Sequence, residues 1–118
     1  MYQFHELGKN GEDYACTYLE KNNYKIIERN FRCKQGEIDI IAIDLVKNEL
    51  VFLEVKTRSS IKYGMPAEAV DKNKQKHIYN AALYYVYCKN IKNTYIRFDV
   101  IEIFFSKNTT VNHIKQIF

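Results

Sequence analysis

Two neighbouring segments, EIDIIAIDL at residues 37–45 and LVFLEVKT at residues 50–57, are apolar at both odd and even positions. A strand with one wet face alternates apolar and polar residues, so these segments predict strands in a sheet covered on both faces, at least in part by helices. The connection at residues 46–49 is too short for a crossover, so the two form an antiparallel hairpin.

The remaining pattern supplies the cover. Phe4, Leu7, Gly11, Tyr14, Ala15, Tyr18 and Leu19 recur at three- and four-residue steps and predict a helix over residues 6–22, stopped at Asn22-Asn23. Residues 24–32 (YKIIERNFR) read as a first strand and Lys34-Gln35-Gly36 as a turn. After a loop over residues 58–66, punctuated by Gly64 and Pro66, a second helix is expected from an Asp71 N-cap to about residue 88. Its stripe is Ile78, Ala81, Ala82 and Tyr85. Residues 95–105 (YIRFDVIEIFF) form a fourth strand, and residues 111–118 offer a short edge strand. At 118 residues the chain is read as a single domain, 1–118, with the order αβββαβ. Ten tyrosines fall largely at helical or strand core positions, so most are expected inside.

The central strands carry charges where apolar residues cost less. Asp39 interrupts Ile38 and Ile40, and Glu54 and Lys56 flank Val55. A buried carboxylate must be paired, metal-bound or protonated. A two-residue turn at Lys47-Asn48 pairs Asp39 with Lys56, whereas a four-residue turn over residues 45–48 sets Asp39 opposite Glu54. Strict alternation puts Asp39, Glu54 and Lys56 on one face in either register, with Glu37 sharing their parity; a three-residue turn would split them. Converging carboxylates repel, and a hard divalent cation resolves the repulsion. The alternative is an ion-pair cluster without chemistry. In the first helix Glu12 is the acid nearest the apolar stripe, about 100° from its centre near Tyr18 and Gly11. In the second, Lys74 falls almost on the stripe, from which it snorkels to the surface or reaches a site beside the sheet.

The net charge of +4 is localised. Between Lys56 and Lys76 lie six basic residues (Lys56, Arg58, Lys62, Lys72, Lys74 and Lys76) against Glu68 and Asp71, and the rest of the chain is balanced. Such a segment fits a phosphate-binding surface. Cys16, Cys33 and Cys88 form no C-x-x-C pair and, with His5, His77 and His113 scattered, predict reduced thiols and no zinc site. No apolar run reaches the roughly 20 residues of a membrane span, and the first residues lack a signal-peptide pattern, so a cytoplasmic protein is expected. There is no phosphate-binding glycine loop, and Ser59-Ser60 lacks an identifiable His partner.

The run Gly36-Glu37-Ile38-Asp39-Ile40-Ile41 followed by Val51-Phe52-Leu53-Glu54-Val55-Lys56-Thr57-Arg58 resembles the YraN-like family of small bacterial proteins. Gly11-Glu12 with Ala15, Arg29-Asn30-Phe31-Arg32, Gly64-Met65-Pro66, Lys74-Gln75 and Arg97-Phe98-Asp99-Val100 extend the resemblance over about residues 8–105. The resemblance implies a restriction-endonuclease-like αβββαβ core, a mixed central sheet flanked by helices, similar to archaeal Holliday-junction resolvases. It implies Asp39, Glu54, the Val55 carbonyl and Glu12 as ligands of Mg²⁺ or Mn²⁺, Lys56 as catalytic lysine, and Lys74 and Gln75 as phosphate contacts from the second helix. Glu37 belongs to the pattern, either at a second metal or capping the turn.

The resulting expectation is a metal-dependent nuclease on DNA, with Arg58, Lys62, Lys72, Lys74, Gln75 and Lys76 holding the backbone. A homodimer or protein partner is compatible with it, and no recognition helix or zinc finger points to base-specific readout. The competing readings are a nucleic-acid-binding module that does not cleave and a protein-interaction adaptor.

Overall fold

The computed structural model describes residues 4–58 and 71–118, with side chains from residue 10 onward. The elements are α1 (Phe4–Lys21), β1 (Tyr24–Cys33), β2 (Gly36–Asp44), β3 (Glu49–Arg58), α2 (Lys72–Cys88), β4 (Tyr95–Phe104) and β5 (Thr110–Ile114). The five strands form one mixed sheet in the order β1-β2-β3-β4-β5, antiparallel except for the parallel pair β3/β4. The expected αβββαβ order is present, and the C-terminal segment adds β5 at the edge. Lys62, Gly64 and Pro66 lie outside the described residues.

Both faces of the sheet are covered. Ala15, Cys16 and Leu19 of α1 pack on Ile40, Ala42, Val51, Leu53, Ile101 and Ile103. Ile78, Ala81, Ala82 and Tyr85, the stripe read from the sequence, carry α2 onto Ile38, Ile41, Phe52, Phe98 and Val100. Asp71 caps α2, its carboxylate accepting from the Lys74 N–H at 2.8 Å. Among the described residues no helix is long and apolar enough to cross a membrane.

The buried face of α1 is rotated from the sequence reading. Cys16 is buried and Tyr14 is exposed, its ring edge-on to Phe105. The stripe therefore centres between Ala15 and Leu19, and Glu12 lies about 40° from that centre rather than about 100°. Gly11 makes this close seating possible, because a Cβ there would collide with the Thr57 hydroxyl on β3. The tyrosines also depart from expectation. Among those described, Tyr24 and Tyr85 are buried, whereas Tyr14, Tyr79, Tyr84, Tyr87 and Tyr95 are exposed. A helix as tyrosine-rich as α2 can bury only one stripe of them.

The hairpin uses the four-residue turn. Its register runs from Asp44–Glu49 to Ile40–Leu53. Asp44 holds the turn by accepting from the N–H groups of Val46 and Lys47 at 3.0 and 3.1 Å, and Asn48 takes a φ of 56°.

Candidate active site

Beyond the Ile40–Leu53 pair the hairpin stops behaving as a regular ladder. Ile38 packs with the α2 cluster and Ile40 with the α1 cluster, so β2 turns its side chains over at Asp39. β1 does the same opposite it. Arg29 reaches Asp13 of α1 at 2.8 Å while Phe31 meets Tyr85 of α2, and Asn30 between them has a φ of 53°. Regular alternation would not allow this, so the parity from which one face was expected for Asp39, Glu54 and Lys56 does not hold at Asp39. Two of the three do share a face. The third, Asp39, uses Oδ2 to accept from the Val55 N–H at 2.8 Å. A side chain thus takes a backbone donor of β3 at the edge of the regular pairing, which is what a bulged, splayed strand end permits.

Glu54 is the hub of the α2 side. Its Oε1 lies 3.4 Å from Lys56 Nζ and 2.5 Å from Lys74 Nζ. The Glu54 and Lys56 side chains keep 13% and 22% of their surface, so the pair is mostly enclosed yet reachable. Burial works against the Lys74 ammonium, but the Glu54 carboxylate outweighs it and raises the Lys74 pKa. The inward lysine on α2 therefore reaches the strand cluster.

Asp39 is the unsettled member. Burial pushes its carboxyl up to about 6; the Val55 N–H offsets part of that, and the charges of Glu54 and Glu12 push the same way as burial. Glu12, half-buried on α1, stands 3.6 Å from Arg29. The charges of Glu12 on α1 and Glu54 on β3 thus both bear on Asp39 of β2, and the Lys74 ammonium offsets only part of the combined push. Among the described residues, no group of three His, Cys, Asp or Glu side chains is gathered as a metal-ligand cluster. The donors still suit a hard divalent cation in kind, because all are oxygens and the central one is destabilised by its like-charged neighbours.

The other candidates scatter. Glu37 is exposed and paired with Arg32 at 3.2 Å, away from the cluster. Lys72 and Lys76 are exposed on the first turns of α2, and Gln75 is half-buried between them. Arg58, at the end of β3, lies 3.4 Å from Glu102. Glu102 was missed by the sequence reading. It is buried, in register with Lys56 across the parallel pair, and accepts from Asn112 at 3.1 Å. Its signal was the same as that of Glu54, an acid set between apolar neighbours in a strand.

A second charged constellation was missed as well. Arg97 is buried and bonds Asp99, Asp44 (2.9 Å), Glu49 (2.8 Å) and the Tyr24 hydroxyl (2.6 Å). Asp99 also meets His113 at 2.8 Å and accepts from the Gln116 N–H at 2.9 Å, and His113 reaches Tyr18 at 3.1 Å. Burial pushes the Asp99 carboxyl up, but His113, Arg97 and the Gln116 N–H outweigh it and hold its pKa low.

With this geometry established, residues 11–103 match the profile of Uncharacterised protein family UPF0102. The chain belongs to that family. UPF0102 is the YraN-like family that the strand motifs resemble. The chain is similar to UPF0102 proteins of Caldanaerobacter subterraneus subsp. tengcongensis (47% identity, 95% of this chain and 93% of that one) and Caldicellulosiruptor saccharolyticus (47%, 96% and 97%). It is 49% identical to a UPF0102 protein of Clostridium perfringens over 95% of this chain and 93% of the relative. Among solved structures it is similar to a repair endonuclease from Pyrococcus abyssi, with a TM-score of 0.44 and 17% identity, over 91% of this chain and 41% of that one.

Proposed function

We propose that this UPF0102 protein is a metal-dependent nuclease that hydrolyses phosphodiester bonds in DNA. One observation carries the reading. A carboxylate raised to about 6 at the splayed end of a hairpin adjoins an enclosed glutamate and two lysines. A purely structural ion-pair cluster gains nothing from holding one acid poorly compensated.

Asp39, Glu54 and the Val55 carbonyl would hold Mg²⁺ or Mn²⁺, with Glu12 able to join from α1. When bound, the cation would polarise the scissile phosphate and stabilise the charge that builds on it. Glu54 sets the position of Lys56, whose ammonium orients the attacking water or offsets charge on the phosphoryl oxygens. Lys74 brings a second cation from α2, where it can meet the adjacent phosphate. Arg58, Lys72 and Lys76 contribute salt-sensitive attraction to the backbone.

The test is incubation of pure protein with branched, single-stranded and linear duplex DNA in Mg²⁺ or Mn²⁺, alongside Glu54→Ala and Lys56→Ala. Metal-dependent cleavage by the wild type, absent in both folded variants, is the expected result. Binding without cleavage in every condition overturns it in favour of a non-cleaving nucleic-acid-binding module. That second reading draws on Glu54, whose carboxylate already has two lysine partners.

A further inference from the structure

The exposed flank of α2 enters the reading above only through Lys72 and Lys76, yet the whole flank has an unusual make-up. Across Lys72–Cys88 there is no acidic residue. At 100° per residue, Lys72, Lys76, Tyr79, Leu83 and Tyr87 fall within a sector of about 80°. They form one stripe about 22 Å long. All five are exposed, Tyr79 at 47% and Tyr87 at 82%. The stripe connects with the site. The Tyr79 ring lies 5.9 Å from Phe98, and Phe98 lines a small, mainly apolar pocket together with Phe52, Phe118 and Glu54.

We propose that this flank carries a single nucleic-acid strand, its phosphates on Lys72 and Lys76 and its bases stacked on Tyr79 and Tyr87. The proposal rests on the nuclease reading and adds that the strand entering the site is unpaired. Two features select this occupant. Lysines without an acid complement a polyanion. Flat exposed rings stack on the faces of unpaired bases, whereas a duplex hides those faces within its own stack. A second copy of the chain fits worse. A two-fold pairing of α2 with itself sets basic surface against basic surface, and neither helix supplies a carboxylate.

The test is fluorescence anisotropy in EDTA, so that binding is read without cleavage, using labelled dT30, U30 and a 30-base-pair duplex. The wild type is expected to prefer the single strands. The double variant Tyr79→Ala/Tyr87→Ala, which removes two stacking rings, should lose at least about thirtyfold in single-strand affinity. Tyr79→Phe/Tyr87→Phe should restore it, because the ring and not the hydroxyl does the stacking. Lys72→Ala/Lys76→Ala should weaken all three probes and lower the salt slope by up to about two. The dT30 and U30 arms tell a DNA from an RNA strand. Unchanged single-strand affinity in the alanine pair, with thermal unfolding intact, overturns the proposal while leaving the nuclease reading standing. Wild-type dimers that Tyr87→Ala dissociates overturn it in favour of a self-interface. Failure of the wild type to bind any probe overturns this proposal, while the nuclease reading stands or falls on cleavage in Mg²⁺ or Mn²⁺.

Discussion

Two charged constellations share the same sheet, and they are built in opposite ways. Around Arg97 every charge is met several times over. The guanidinium bonds three carboxylates and a phenol, and Asp99 receives Arg97, His113 and a backbone N–H. Arg97, Asp44 and Asp99 are enclosed, and the two acids among them are held below their ordinary pKa. Around Glu54 the accounting is incomplete. Two lysines converge on one carboxylate, while Asp39 sits close by with its pKa raised to about 6. The first arrangement ties the Asp44 turn, β4 and the C-terminal segment together. The second leaves electrostatic work undone at an accessible place, which is how binding and catalytic sites differ from structural ion pairs.

The sharpest way to break this comparison is to remove the centre of the closed network. Arg97→Ala leaves Asp99 and Asp44 buried without their main cation, and the expected loss is about 3–5 kcal/mol of unfolding free energy. Urea unfolding of the variant measures it. A loss under about 1 kcal/mol would show that the network is not structural in the sense argued here. Because Asp44 and Asp99 have depressed pKa values, the stability they contribute is present above the ordinary carboxylate range. It disappears as pH falls through their folded values.

Asp39 has the opposite sign. Its folded pKa lies above its unfolded one, so the folded state binds the proton more readily between about pH 4 and pH 6. Stability from this group falls as pH rises through that window. Asp39→Asn keeps an acceptor for the Val55 N–H and removes the charge. It is expected to stabilise the protein by about 1–3 kcal/mol at pH 7.5, with the gain vanishing near pH 4. Chemical denaturation at the two pH values in EDTA reads this directly. A variant that is less stable at pH 7.5 would place Asp39 with the structural set.

Much of this was legible in the sequence for a physical reason. A strand apolar on both parities can only lie between two layers, and a charge within it must be explained, so Asp39, Glu54 and Lys56 stood out. The four-residue turn is one of the three turn lengths that the residues left open. What could not be read was the turnover of β1 and β2 at Asn30 and Asp39. Alternation is the assumption from which sequence reading starts, and a positive φ at a single asparagine breaks it without changing composition. Arg97 and Asp99 were readable in principle, since they occupy one face of an apolar strand two residues apart. Glu12 was placed too far from the buried face because Tyr14 was counted as core and Cys16 was not. The long tyrosines of α2 look apolar in any periodicity count, yet the helix has only one buried side.

The smallest expected change in stability sharpens the contrast most. Lys56→Met removes a cation from Glu54, but Lys74 remains against the same oxygen, and the Lys56 head retains contact with water. A partly exposed ion pair with a second partner in place contributes little net stability, so unfolding should change by less than about 1 kcal/mol. Methionine keeps the aliphatic length of the side chain, which limits any packing loss. If the site works as proposed, cleavage in Mg²⁺ should nevertheless fall by at least about a hundredfold, since the lost ammonium acts on charge that exists only as the bond breaks. A large loss of activity with little loss of stability is the signature of a group held for chemistry. Equal losses in both would move Lys56 into the class that Arg97 represents.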